Sequence, residues 1–205
     1  MLANYHRLKS GVIKQTEVIP FEYNKKYIQD TYDTYGDGRI QMAWLRIGHI
    51  LGNIGGFDTL LDVGYGNGDF LKAAVKVAQC YGYEINGYEI PEGCTFADDW
   101  QDQDVDVMTF FDVLEHIPDL TFMRHLRAKY VVISVPDCLY HSDQWFENWK
   151  HRKPNEHIWH FNEDSLTRFM EENGYICMEL NNVEDCIRIH HEKNILTGIF
   201  KKLTI

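Results

Sequence analysis

Leu60-Leu61-Asp62-Val63-Gly64-Tyr65-Gly66-Asn67-Gly68-Asp69-Phe70-Leu71 decides how the rest of the 205-residue chain is read. The apolar run Thr59–Val63, followed at once by glycine, reads as a short buried parallel strand. Residues 69–79 read as a helix, with Phe70, Leu71, Ala74, Val75 and Ala78 along one side. A glycine turn between strand and helix lets a ligand approach the backbone at the helix N-terminus. The spacing is G-x-G-x-G, whereas the dinucleotide fingerprint G-x-G-x-x-G would put its third glycine at 69, where Asp69 stands. Asp62, just before the first glycine, would repel a pyrophosphate and attract a cation. Turn and carboxylate together suit a ligand that is positively charged at this end.

Working outward, strands are expected near 83–88, 95–96, 105–110 and 130–135, with a mostly helical stretch over 112–127. A helix over 163–172 ends at Asn173-Gly174, and strands follow near 175–180 and 185–190. Upstream, apolar residues at 40, 43, 44, 47, 50 and 51 carry helical spacing as far as Gly55-Gly56. Strands alternating with helices imply an α/β fold with a mostly parallel sheet covered on both faces. Residues 1–37 show no strong apolar period and hold five of the twelve tyrosines: Tyr5, Tyr23, Tyr27, Tyr32 and Tyr35. They read as an N-terminal arm or lid, and 38–205 as one domain. Residues 136–160 fit neither period and form its longest insertion, and such loops are usually functional.

Composition narrows the function classes. Apolar residues make up 44% and aromatics 14%, enough for a packed core. The net charge of −11 argues against a general nucleic-acid binder, which needs a basic face to displace counterions. No apolar stretch approaches the roughly 20 residues of a membrane-spanning helix. Residues 1–7 carry no signal-peptide pattern. The five cysteines form no C-x-x-C pair. A cytoplasmic protein is expected.

In its motifs the chain resembles the class I S-adenosylmethionine-dependent methyltransferases, in the ubiquinone-pathway-like branch (methyltransferase types 11, 12 and 23). The resemblance runs in order from about 38 to 190. Leu61–Gly68 is similar to the first motif, with Tyr65 where a smaller residue is commoner. Gly87-Tyr88-Glu89 is similar to the strand end whose acid holds the ribose hydroxyls, and Ala97–Trp100 to the adenine segment. Phe110–Asp119 and Val131–Asp137 resemble the motifs of the fourth and fifth strands, and Glu156–Leu166 with Glu172–Tyr175 the late helix. The resemblance implies a Rossmann-like, mostly parallel seven-stranded sheet flanked by helices. It implies S-adenosyl-L-methionine as cofactor, with Asp62, Gly64, Gly66 and Gly68 shaping the methionine end, Glu89 the ribose, and Asp99 with Trp100 the adenine. Phe111 and Asp112 would line the methyl side. Tyr65 and Ile90 complete the set, and Arg39 is the candidate partner of the methionine carboxylate. Only a turn fits between Glu89 and Thr95, so the usual helix there is expected to be rudimentary.

Asp112-Val-Leu-Glu-His116 also invites a chemical reading. On a helix, Asp112 lies three and four residues before Glu115 and His116, so the three can converge. Two carboxylates and an imidazole suit Mg²⁺, Mn²⁺ or Co²⁺. Related methyltransferases for ubiquinone precursors and small-RNA ends hold a divalent metal at this run, the RNA group with a later histidine for which His157 is the match. Metal-free relatives carry the same run in local hydrogen bonds, so both readings stand.

Residues 141–160 hold four of the ten histidines (141, 151, 157, 160), three of the five tryptophans (145, 149, 159) and Lys150-His151-Arg152-Lys153. They read either as an aromatic, basic substrate cap or as a small aromatic core under a solvated charge run. His116, His141, His157 and His160 are the candidate catalytic groups, since imidazole titrates near neutrality. The expected activity is methyl transfer to a small-molecule acceptor, anionic or nucleotide-linked. Three alternatives remain open at this level: metal-assisted O-methylation of a nucleotide or RNA end, a nicotinamide-dependent oxidoreductase, and a non-catalytic cofactor-binding subunit. Oligomeric state is not legible.

Overall fold

The computed structural model describes residues 2–20, 38–188 and 194–203. Its frame is a seven-stranded sheet. In chain order the strands are β3 (Thr59–Val63), β4 (Gln79–Tyr83), β5 (Cys94–Phe96), β6 (Val107–Phe111), β7 (Tyr130–Pro136), β9 (Tyr175–Asn181) and β10 (Ile195–Lys202). In space they run β5-β4-β3-β6-β7-β10-β9. The first five pair in parallel, and β10 runs antiparallel to both β7 and β9. This is the mostly parallel, Rossmann-like architecture that the motif order implies.

Side chains alternate across the sheet, so each strand feeds two cores. Leu60, Val107, Val132 and Ile199 face α1 (Gly38–Ile54) and α2 (Asp69–Ala74). Leu61, Met108, Ile133 and Phe200 face the opposite core, which is closed by Leu166 and Met170 of α4 (Glu163–Glu172). Asp62, between Leu61 and Val63, therefore points to the α1 side. In α1 the buried stripe is Ala43, Ile47 and Ile50, with Arg46 on its flank. Ile40 and Trp44, read as part of that stripe, stay 60% and 49% exposed, off the buried Ala43–Ile47–Ile50 line.

Three expectations are corrected, and each correction moves a site residue. Helix α2 ends at Ala74, and Lys76 and Val77 donate to Ala73 and Ala74 in a tight turn. That turn starts β4 at Gln79, four residues before the expected strand. Gly82, which looks like a turn residue, lies inside β4. A Cβ there would come within 2.7–2.8 Å of Tyr65, Ile90 and Leu71. The stretch 112–127 is not a helix but two 3₁₀ turns, Leu114–His116 and Thr121–His125, with Asp112 at a left-handed φ of 57°. Asp112 thus never shares a helical face with Glu115 and His116. Near 185–190, Asp185–Arg188 form a helical turn, α5, and the remaining residues lie outside those described.

The insertion after β7 contains α3 (Asp143–Asn148), capped by Ser142, and β8 (Trp159–His160). Strand β8 pairs with β2 (Ile13–Gln15), which pairs with β1 (Tyr5–Arg7), making a second, three-stranded sheet. The described part of the N-terminal segment is thus half of the cap. Tyr23, Tyr27, Tyr32 and Tyr35 lie outside the described residues. Tyr5, Ile13, Cys138 and Phe146 form a small buried core under Trp145 and Trp149. Most cap aromatics are therefore packing, and Arg152 of the basic run stacks over the Tyr5 and Phe146 rings. As expected, the link from β4 to β5 carries no helix.

Candidate active site

The strands' carboxyl ends open into a cavity of about 830 Å³, walled by the glycine turn, α1, the 3₁₀ turn at 114–116, the cap and α5. Gly64, Gly66 and Gly68 all have positive φ, at 75°, 55° and 77°. At Gly64 a Cβ would also meet Val113 Cγ2 at 2.5 Å, so only glycine fits on conformational and on steric grounds. Beneath the turn, Asp62 is 3% exposed and accepts the Thr109 hydroxyl at 2.6 Å. Burial outweighs that hydrogen bond and pushes its carboxyl up to about 7.

Glu84, directly after β4, is buried and lines the cavity. Its Oε2 accepts the Gly66 amide at 2.8 Å, and its Oε1 accepts the Asn86 amide and side chain at 3.0 and 2.7 Å. Glu89 is exposed and belongs with Ile90 to a separate surface depression beside Lys72 and Glu92. Trp100 lines the cavity and packs against Tyr83, Phe110 and Phe122, while Asp99 is exposed outside the lining. Tyr65 lines the cavity, and its hydroxyl donates to the Tyr88 carbonyl at 2.6 Å, tying the loop after β4 to the glycine turn. Arg39 lines the cavity and lies 3.6 Å from Asp69. Deeper in, Arg46 sits 4.0 Å over the Phe111 ring and forks onto Glu184.

At the other end, Glu115, His116 and His157 present ligand atoms within 4.8 Å of one another. Glu115 and His157 are buried, His116 is half-buried, and all three line the same cavity. Both Glu115 oxygens and His157 Nδ1 are sealed from solvent with no hydrogen-bond partner among the described residues. Burial, then the nearby Asp112 charge, raises the Glu115 carboxyl well above its ordinary range. His116 Nδ1 lies 3.0 Å from the Glu156 carbonyl, so it donates there and leaves the Nε2 lone pair toward Glu115, 3.9 Å away. Burial lowers His116 to about 4 and His157 further still, so both are neutral. Asp112, expected in this cluster, instead accepts from Arg188 at 2.5 Å and Arg46 at 3.4 Å.

His141 and His160 are not brought to the cavity. His141 is exposed against Trp145, and His160 is buried within the cap among Tyr5, Phe146 and Trp149. Lys150, His151, Lys153, Glu156 and His157 supply the cap's contribution to the lining. His151 was not among the candidates, although its Nε2 is held 2.7 Å from Asn194 Oδ1. Nothing in its local sequence marks it, because Asn194 is 43 residues away.

A family model described as a methyltransferase domain matches residues 32–180, and the chain belongs to that family. Its fold is that of the class I S-adenosylmethionine-dependent methyltransferases, and the protein is an enzyme of that class. One similar structure is an S-adenosylmethionine-dependent methyltransferase from Clostridium acetobutylicum, at 10% identity and TM-score 0.61, covering 87% of this chain and 98% of that one. Another is the Burkholderia thailandensis 1,6-didemethyltoxoflavin-N1-methyltransferase with S-adenosylhomocysteine, at 16% identity and TM-score 0.57, covering 98% and 100%. A third is a chain of the complex between the Haloferax volcanii Trm112 methyltransferase activator and the putative methyltransferase, at 14% identity and TM-score 0.63, covering 88% and 97%. No curated protein matches the sequence. Family membership sets aside the oxidoreductase and non-catalytic readings. No helix among the described residues is long and apolar enough to cross a membrane.

Proposed function

We propose that the enzyme moves the sulfonium methyl of S-adenosylmethionine onto a small acceptor that carries an anionic group. The observation behind this reading is that one cavity joins the glycine turn and Glu84 to Lys150, Glu115, His116 and His157. The cofactor lies along the turn, with its ribose hydroxyls on Glu84 in place of Glu89 and its adenine beside Trp100. Its cationic methionine end lies over Asp62, and its carboxylate meets Arg46, whose Nη1 has no hydrogen-bond partner among the described residues. The acceptor enters under the cap. Arg46 and Arg188 are already paired with Glu184 and Asp112, and Lys153 with Glu156. Lys150 makes no ion pair among the described residues, which favours an acceptor anion at the mouth.

The chemistry is an in-line displacement: acceptor lone pair to methyl carbon, sulfur as leaving group. The enzyme's contribution is alignment and exclusion of water. Glu115, His116 and His157 fit a divalent cation, because their ligand atoms converge and both Glu115 oxygens lack a hydrogen-bond partner among the described residues. Such an ion would lower the pKa of an acceptor hydroxyl. The five unpaired cysteines are consistent with a cytoplasmic setting. The reading is tested by calorimetry with S-adenosylhomocysteine, followed by incubation of enzyme and methyl-labelled cofactor with anionic and neutral metabolite fractions. Saturable binding and label in the anionic small-molecule fraction are expected. Absence of binding would overturn the cofactor placement, and label only in neutral compounds would overturn the acceptor class.

A further inference from the structure

Glu184 has no exposed surface, yet it is the most heavily engaged carboxylate among the described residues. It accepts Nε and Nη2 of Arg46 at 2.7 and 2.9 Å, Nε and Nη2 of Arg188 at 3.1 and 2.7 Å, and the Ser134 hydroxyl at 2.6 Å. Asp112 takes a third bond from each guanidinium. Two cations thus face two anions, and α1, the end of β6, β7 and α5 are joined by one neutral network. The network uses Nε and Nη2 of Arg46 and leaves Nη1 without a partner among the described residues. Arg46, Asp62, Gly64 and Phe111 all line the same cavity.

We propose that Glu184 is a positioning residue for the cofactor, a role that rests on the cofactor placement given above. It does not touch the ligand. It locks the Arg46 fork from behind, so that Nη1 is held ready for the cofactor's carboxylate instead of being ordered only when the ligand arrives. Ser134 fixes Glu184 in turn, and Asp112 with Arg188 keeps the buried charge balanced. Without the Glu184 charge, two buried guanidinium groups compete for Asp112 and Arg46 turns away from the cavity.

The test compares S-adenosylhomocysteine with 5′-methylthioadenosine, which shares the nucleoside and thioether but lacks the amino-acid end, carboxylate and ammonium alike. Calorimetry on wild type and Glu184→Gln should show S-adenosylhomocysteine weakened about tenfold, with methylthioadenosine held within about twofold. Equal losses for the two ligands would mean a merely structural role and overturn the proposal, as would unchanged or tighter S-adenosylhomocysteine binding. If Glu184→Gln does not fold, the charge-balanced pair Glu184→Gln with Arg188→Gln is read the same way. Failure of wild type to bind either ligand would refute the cofactor placement itself, a result distinct from any outcome at position 184.

Discussion

Thr109 donates its hydroxyl proton to Asp62 across 2.6 Å, from β6 to the neighbouring β3, directly beneath the glycine turn. One neutral donor does not repay the desolvation of a buried carboxylate, so Asp62 titrates near 7 instead of near 4. A cation above Asp62 binds only the ionised form well. Below pH 7 the ligand must first expel a proton, so binding weakens as pH falls.

We therefore expect the dissociation constant for S-adenosylmethionine to tighten from pH 6 to pH 8, changing by up to about tenfold per unit below pH 7. Asp62→Asn should flatten that profile. A wild-type profile as flat as the variant's would show that Asp62 does not face the cofactor's positive end.

Glu84 and Glu89 make a paired prediction. Glu84→Gln keeps an acceptor for the Gly66 amide but loses the charge that strengthens hydrogen bonds to ribose. Such bonds contribute about 1.5–3 kcal/mol, so S-adenosylhomocysteine should bind roughly 10- to 100-fold more weakly. Glu89→Gln should bind as wild type does, since its side chain lies outside the cavity. The reverse ranking in a titration would restore Glu89 to the ribose.

These two acids also show what was legible in the chain. The glycine turn is legible because its three glycines and Asp62 fall within seven residues, and the physics of a strand-to-helix turn is local. Glu84, which we place at the ribose, has no signal in the sequence because β4 is only Gln79–Tyr83 with a glycine inside it, a pattern set by the approach of Tyr65, Ile90 and Leu71 and not by alternation. Asp112 was assigned to the wrong neighbours because the stretch from 112 to 127 was read as helix, whereas it forms two 3₁₀ turns on either side of Pro118. Arg46 and Glu184, 138 positions apart, meet only through the sheet order. No local pattern announces such a pair.

The buried Glu115–His116–His157 cluster predicts stabilisation by divalent cations. Protein stripped with EDTA should gain thermal stability on addition of Mn²⁺, by about 2.7 kcal/mol at a hundredfold excess over the dissociation constant. Glu115→Gln and His157→Gln should each remove the response. An equal rise in melting temperature in wild type and both variants would place the ion elsewhere, and no rise in wild type would remove the metal reading.

His160 tests the cap. Its ring is enclosed by Tyr5, Phe146 and Trp149, its Nε2 is buried without a partner among the described residues, and burial with the charge of Arg152 lowers it to about 3. In the unfolded chain an imidazole titrates near 6.5. Between those values the unfolded state holds a proton that the native state does not, so acidification favours unfolding. Above about pH 6.5 neither state is protonated, and the effect vanishes. The expected contribution is a loss of at most about 1.4 kcal/mol per pH unit on going from pH 6 to pH 4. Urea unfolding in EDTA should show that increment in wild type and not in His160→Phe, which keeps an aromatic ring in the same core. Parallel pH profiles for the two proteins would mean that His160 is charged, or open to water, in the folded cap.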